Sequence, residues 1–125
     1  MRLLVGTDGS PGAERAVEFA AQLARDVKAS LRVVHVLTIN DPPLDAQNDY
    51  ASIARQRAER LGAADVQSES VAGNDIAECI LDAASRDGAD LIVVGKRGLT
   101  RFCGLLLGSV SQKLVSAAPC AVVVV

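Results

Sequence analysis

The sequence predicts an α/β fold: a doubly wound, five-stranded parallel sheet in the order 3-2-1-4-5, flanked by four helices. Three observations predict it. Short apolar runs alternate with amphipathic stretches along the whole chain, in the pattern β-α-β-α-β-α-β-α-β. Half of the 125 residues are hydrophobic, yet Phe19, Phe102 and Tyr50 are the only aromatics. The core is therefore built from Ala, Val, Leu and Ile, as parallel strands covered on both faces require. Parallel strands in turn need right-handed crossovers, which makes a doubly wound sheet the natural architecture.

Each element has its own signals. The first strand, Leu3 to Gly6, runs into Asp8-Gly9-Ser10-Pro11, where Ser10 suits a helix N-cap and Pro11 the first helical position. The following helix carries an apolar stripe at Ala13, Ala16, Val17, Ala20, Ala21, Leu23, Ala24 and Val27, with Glu14, Arg15, Glu18, Arg25 and Asp26 on its wet face. Leu31 to Leu37 is the second strand, and Asp41-Pro42-Pro43 forces a loop after it. A second helix runs from about Asp49 to Leu61, and a weaker third strand spans Val66 to Val71. Asp75 and Glu78 stand at capping-box spacing at the start of a third helix, which Gly88 ends as a left-handed cap. Leu91-Ile92-Val93-Val94-Gly95 reads as a central strand. Ser109 to Gln112 has the S-x-x-Q spacing of a capping box opening a fourth helix, Pro119 closes that helix, and Ala121 to Val125 is the last strand.

Composition narrows the partners. With 13 Lys+Arg against 15 Asp+Glu and a net charge of −2, the chain has no basic stripe and no stacking aromatics, which argues against nucleic acid. No apolar stretch approaches the ~20 residues that cross a bilayer, and Met1 to Val5 lacks signal-peptide anatomy, so the expectation is one cytoplasmic domain over residues 1–125 without a membrane partner. Cys79, Cys103 and Cys120 have no C-x-x-C spacing and read as reduced thiols; no metal site is expected.

In a sheet of this order, ligands bind beyond the carboxyl ends of the first and fourth strands, where the strand order reverses. Those ends carry Gly6-Thr7-Asp8 and Gly95-Lys96-Arg97-Gly98. The dozen residues between Lys96 and Gly108 exceed the ~2–6 usual for such a loop, and long loops are commonly functional. Glycine lets backbone approach a ligand, a helix N-terminus offers unpaired N–H groups to an anion, Ser109 and Ser111 add hydroxyls, and Lys96, Arg97 or Arg101 supply positive charge. The plain alternatives are that the glycines only turn a strand into a helix, that Ser109 only caps it, and that Asp8 only closes an Asx turn rather than accepting from a ribose hydroxyl. His35, the lone histidine, reads as a structural residue of an apolar strand. No nucleophile–base pair and no two-carboxylate site is evident, so no catalytic residue is assigned.

The G-x-x-G-x9-G-S pattern at Gly95, Gly98, Gly108 and Ser109, the Asp8-Gly9-Ser10 turn, the His35-Val36 strand end and the Gly-Ser-Val-Ser run at 108–111 together resemble the universal stress protein family over essentially the whole chain. The resemblance implies an adenine nucleotide alpha hydrolase-like fold and, with the glycine motif complete, the ATP-binding branch. It places Asp8 and Gly95 near the ribose, Thr7, Val36 and Val94 around adenine, and Gly98, Gly108, Ser109, Val110 and Ser111 along the phosphates; Arg97 joins the expected site on its charge. It further implies ATP with Mg²⁺ held through its phosphates, a stress-signalling role and a homodimer through Ala121–Val125. Two readings stand beside it: a slow ATPase or nucleotidyl-transfer enzyme, and a nucleotide-independent dimeric interaction module. The segment between the second and third strands is short for the family, and Lys96-Arg97 is more basic than its usual Ser-Arg or Ser-His.

Overall fold

Five parallel strands form one sheet in the order β3-β2-β1-β4-β5: β1 (Arg2–Gly6), β2 (Ser30–Leu37), β3 (Asp65–Ala72), β4 (Leu91–Val94) and β5 (Ala121–Val124). The computed structural model describes residues 1–96 and 108–125. Four helices connect the strands: α1 (Pro11–Val27), α2 (Tyr50–Arg60), α3 (Ile76–Asp87) and α4 (Ser109–Ala117). The fold class and strand order are those the sequence predicts.

Strand alternation sorts the core into two layers. Leu3, Val5, Leu31, Val33 and Val93 point to one face, where Ala16, Val17, Ala20, Ala21 and Ala24 of α1 and Ala54 and Ala58 of α2 cover them. Leu4, Val34, Val36, Ile92 and Val94 point to the other, under Ala77, Ile80, Ala83 and Ala84 of α3 and Leu114 of α4. Alanine at nearly every helix contact lets the helices lie close on a sheet of β-branched residues, and no aromatic is needed to fill the gap.

Helix ends follow local chemistry. Ser10 caps α1 by accepting from the Ala13 N–H at 3.2 Å, with Pro11 in the first turn. Asp49 caps α2 through the Ser52 N–H at 3.2 Å, and Asp75 caps α3 through the Glu78 N–H at 3.1 Å. Gly88 ends α3 at φ 65°, a conformation that favours glycine.

The start of α4 differs from the sequence reading. The Gln112 N–H donates to the Gly108 carbonyl at 3.0 Å, which makes Gly108 the cap residue and Ser109 the first helical one. Ser109 is therefore not the cap residue, and Gly108, which is, has no side chain with which to cap. The S-x-x-Q spacing is thus one residue out of phase with the helix, with Ser109 at its first position instead of at the cap.

Order β3-β2-β1-β4-β5 means that the chain winds outward through α1 and α2, then crosses back past β1 to begin β4. The reversal falls between β1 and β4, whose carboxyl ends are thereby left without a crossover between them.

Candidate functional site

A cleft of about 360 Å³ opens at this reversal point. Gly6, Thr7 and Asp8 from the end of β1 and Val94, Gly95 and Lys96 from the end of β4 form its floor. Residues 10–13 and Arg15 of α1 make one wall, and Ile76 and Ile80 of α3 with Val110 and Ser111 of α4 make the other. Val34 and Val36 of β2 extend the apolar side. The cleft thus has an apolar half of valines and isoleucines and a polar half carrying Thr7, Asp8, Ser10, Arg15 and Lys96, the composition of a small-molecule site.

The first turn after β1 is held by its own side chains. Thr7 is buried; its N–H donates to the Val34 carbonyl at 2.9 Å, and its Oγ1 accepts from the Gly9 N–H at 3.2 Å. Asp8 Oδ1 accepts from the Ser10 N–H at 2.9 Å, the Asx turn that the sequence allows, while the exposed carboxylate also lines the cleft. At the other wall, Ser111 is only 2% exposed and its hydroxyl donates to the Gly95 carbonyl at 3.3 Å, tying α4 to the end of β4.

Gly95 has a steric reason to be glycine. A Cβ there would lie 2.5 Å from the Gly12 carbonyl oxygen and 2.9 Å from the Ala13 nitrogen, so backbone of α1 occupies the space of a side chain. The close approach brings the N-terminus of α1 against the exit of β4 and sets the width of the cleft.

Of the residues that the sequence singles out, Thr7, Asp8, Val36, Val94, Gly95, Val110 and Ser111 come together in the cleft wall. Gly108 and Ser109 begin α4 but stand outside the wall that the described residues form. Arg97 and Gly98, with Arg101 and Cys103, lie outside the described residues. Sequence reasoning missed Gly12, Ala13 and Arg15 of α1 and Ile76 and Ile80 of α3. Their signal was topological: the helices beginning beside the reversal point must present their first turns to it.

His35 sits next to this cleft, in a neighbouring cavity that shares Asp8, Val36 and Ile76 with it. Its ring is 5% exposed and meets Tyr50 edge-on at 5.3 Å, so it packs as a structural residue, but its buried Nδ1 has no hydrogen-bond partner. Burial pushes the imidazole pKa below 6.5, against the opposing pull of the Asp41, Asp8 and Asp49 carboxylates.

A further cavity, of about 370 Å³, lies at the amino ends of the strands, lined by Arg2, Arg32, Arg86 and Asp87. Its cations are already engaged: Arg32 pairs with Asp87 at 2.7 Å, Arg86 pairs with both Asp87 and Glu69, and Arg2 donates to the Asp87 backbone carbonyl at 2.9 Å. The cleft at the carboxyl ends is the better ligand site for that reason. Cys79 and Cys120 are free, half-buried thiols, both with pKa pushed up by burial. Among the described residues no group of three or more His, Cys, Asp or Glu is placed to hold a metal, and no helix is long and apolar enough to cross a membrane.

Comparison with known proteins decides the family. The family model described as "Universal stress protein family" matches residues 1–125. The chain belongs to the universal stress protein family. A universal stress protein of Thermus aquaticus is 37% identical over 137 residues, covering 98% of this chain and 96% of that protein. Among solved structures, a universal stress protein in complex with cAMP superimposes with a TM-score of 0.83 at 32% identity, covering 100% of this chain and 95% of that one. The universal stress protein of Archaeoglobus fulgidus in complex with dAMP gives 0.75 at 27% identity, covering 99% and 96%. The family that the Gly95 to Ser111 motif resembles and the parallel α/β sheet expected from the alternating apolar runs are thus both found.

Proposed function

We propose that this member of the family binds an adenine nucleotide, ATP, in the cleft between the ends of β1 and β4, and that occupancy of the cleft is the signal it passes on. One observation carries the reading: a cleft at the reversal point that is apolar on one side and cationic and polar on the other. Its volume of about 360 Å³ falls in the range of small-molecule pockets. Val36, Val94, Ile76 and Ile80 suit a base, and the Asp8 carboxylate suits a ribose hydroxyl. The first turn of α4, whose cap residue Gly108 carries no side chain, suits a phosphate. Two relatives of the same fold crystallised with cAMP and dAMP support the same class of ligand.

Magnesium belongs to this reading as a companion of the phosphates rather than a resident metal. Gly98, Gly108 and Ser109 complete the proposed phosphate contacts, together with Arg97. The β5 edge, with its backbone open on one side, suits pairing with a second copy through Ala121–Val125. A cytoplasmic location belongs to the same reading.

The experiment is to denature freshly purified protein, identify released nucleotide by mass spectrometry, and titrate ATP by calorimetry into the native chain and into Val110→Trp, whose indole fills the cleft. The expected result is titratable binding in the native chain and a loss of at least tenfold in the variant, with an unchanged circular dichroism spectrum. No released nucleotide and no titratable binding would overturn the reading and leave a dimeric interaction module as the better account.

A further inference from the structure

Among the described residues most arginines are matched. Arg32 and Arg86 converge on Asp87, Arg57 pairs with Glu18 across α1 and α2, and Arg25 and Arg55 each pair with a carboxylate on their own helix. Arg15 and Arg60 are different, because neither has a hydrogen bond or ion pair among the described residues. Arg60 stands in the last turn of α2, where the negative end of the helix suits a cation.

Arg15 has no such compensation. Helical side chains lean toward the N-terminus, and its guanidinium folds back over the first turn of α1, with one Nη lying 3.6 Å from the position a Gly12 Cβ would take. That is the positive end of the helix, the wrong end for a cation. Residues 97–107 contain no Asp or Glu, so that segment holds no carboxylate to neutralise it. The guanidinium lines the cleft beside Lys96 and is exposed at its mouth, whereas Val36 and Val94 are buried. A fixed cation at the mouth, beside a helix N-terminus and without a counter-ion, awaits an anion delivered by the ligand.

Resting on the nucleotide reading above, we propose that Arg15 is a specificity-determining residue that binds the distal phosphates and makes the cleft prefer a nucleoside triphosphate to a monophosphate. Val36 and Val94 of the apolar half are buried whereas the Arg15 guanidinium is exposed at the mouth, so with the base on the apolar half the phosphates farthest from the base are the ones that meet Arg15. Planar guanidinium pairs bidentately with phosphate oxygens, so lysine replaces its charge but not its fork.

The test measures the affinities of ATP, AMP and cAMP for the native chain, Arg15→Gln and Arg15→Lys by calorimetry at fixed salt. A charge-assisted bond at an exposed rim predicts that Arg15→Gln weakens ATP about tenfold. AMP and cAMP should change less than about twofold, and Arg15→Lys should recover part of the loss. Raising the salt should shrink the difference between native and Gln chains for ATP. If ATP and AMP weaken equally, or ATP is unchanged while AMP still binds, Arg15 does not read the phosphates and the nucleotide reading survives without it. If the native chain binds none of the three, both fall together.

Discussion

Replacing Gly95 with alanine tests whether the cleft is shaped by contact between backbones. The new Cβ would stand 2.5 Å from the Gly12 oxygen, 2.6 Å from the Gly12 carbonyl carbon and 2.9 Å from the Ala13 nitrogen. Ordinary contact begins at 3.4 Å, so the first turn of α1 or the end of β4 must retreat by about 0.9 Å. Neither gives way easily. Ala16, Val17, Ala20, Ala21 and Ala24 of α1 are all at most 1% exposed, and β4 is paired on both sides. Overpacking of this kind costs about 1–3 kcal/mol, and two immobile backbones put Gly95→Ala at about 3 kcal/mol.

Gly6 is the control. A Cβ there meets the Ile80 Cδ1 at 3.0 Å, the far end of a flexible side chain. The rotamer adjustment costs about 1 kcal/mol or less, partly offset by the chain entropy that a glycine-to-alanine change removes from the unfolded state. The two variants should therefore differ by about 2–3 kcal/mol. At about 4 °C per kcal/mol for a domain of this size, that is about 10 °C in Tm, and it is about 1–2 M in the urea midpoint. Paired thermal and urea unfolding followed by circular dichroism measures it. Unfolding of the two variants within about 0.5 kcal/mol of each other would refute the tight-approach argument.

Two further outcomes follow from charges. Because His35 is the only histidine, its ring signals in carbon-edited NMR are unambiguous, and its titration midpoint should lie below 6.5; a midpoint at or above 6.5 would show that burial does not dominate. Its lowered folded pKa means that the unfolded chain binds more protons in the window beneath 6.5, so stability should rise with pH through that window and level off above it, a slope absent from His35→Phe. Lys113 reaches Asp75 at 2.7 Å and Glu78 at 2.9 Å, fastening α4 to the cap of α3, and this contact holds the Asp75 pKa below its usual value. Asp75→Ala, which removes both cap and ion pair, should lower Tm more than Lys113→Met, which removes the ion pair alone; the part of the loss due to the carboxylate should vanish as pH falls through its lowered pKa, and equal losses in thermal melts would assign the stability to the pair alone.

The elements most legible in the sequence were those whose local chemistry is strong. Ser10, Asp75 and Gly88 mark helix ends by their own bonds, and Leu31–Leu37, but for Arg32 and His35, and Leu91–Val94 are apolar because both faces of the sheet are covered. β3 was read short because its edge position leaves much of it half-buried, so Gln67, Ser68 and Glu69 dilute the apolar signal, although it pairs with β2 along all eight residues. The beginning of α4 was misplaced because a capping pattern is a pattern of residue types, whereas the cap is fixed by which carbonyl accepts the first bond, here Gly108. On the site, the strand ends were found because they are local features. Arg15, Ile76 and Ile80 were not, because only the packing of α1 and α3 brings them to the ends of β1 and β4.

The glycine signature makes two separate demands, and they point to different evidence for a ligand. Gly95 is required by the chain itself, since α1 fills its side-chain space. What the fold does not require is a cap residue without a side chain at Gly108 and an Arg15 without an ion pair among the described residues, and these are the features an anionic ligand would use. The two demands separate in one experiment. Ligand present at a hundred times its Kd stabilises a native protein by about 2.7 kcal/mol, about 10 °C in Tm here. If Gly95→Ala melts early but gains that same 10 °C with ATP, its role is packing alone and the cleft tolerates a wider α1. If it melts early and gains nothing, the close approach of α1 to β4 is what gives the cleft its binding shape, and the fold and the site share one contact.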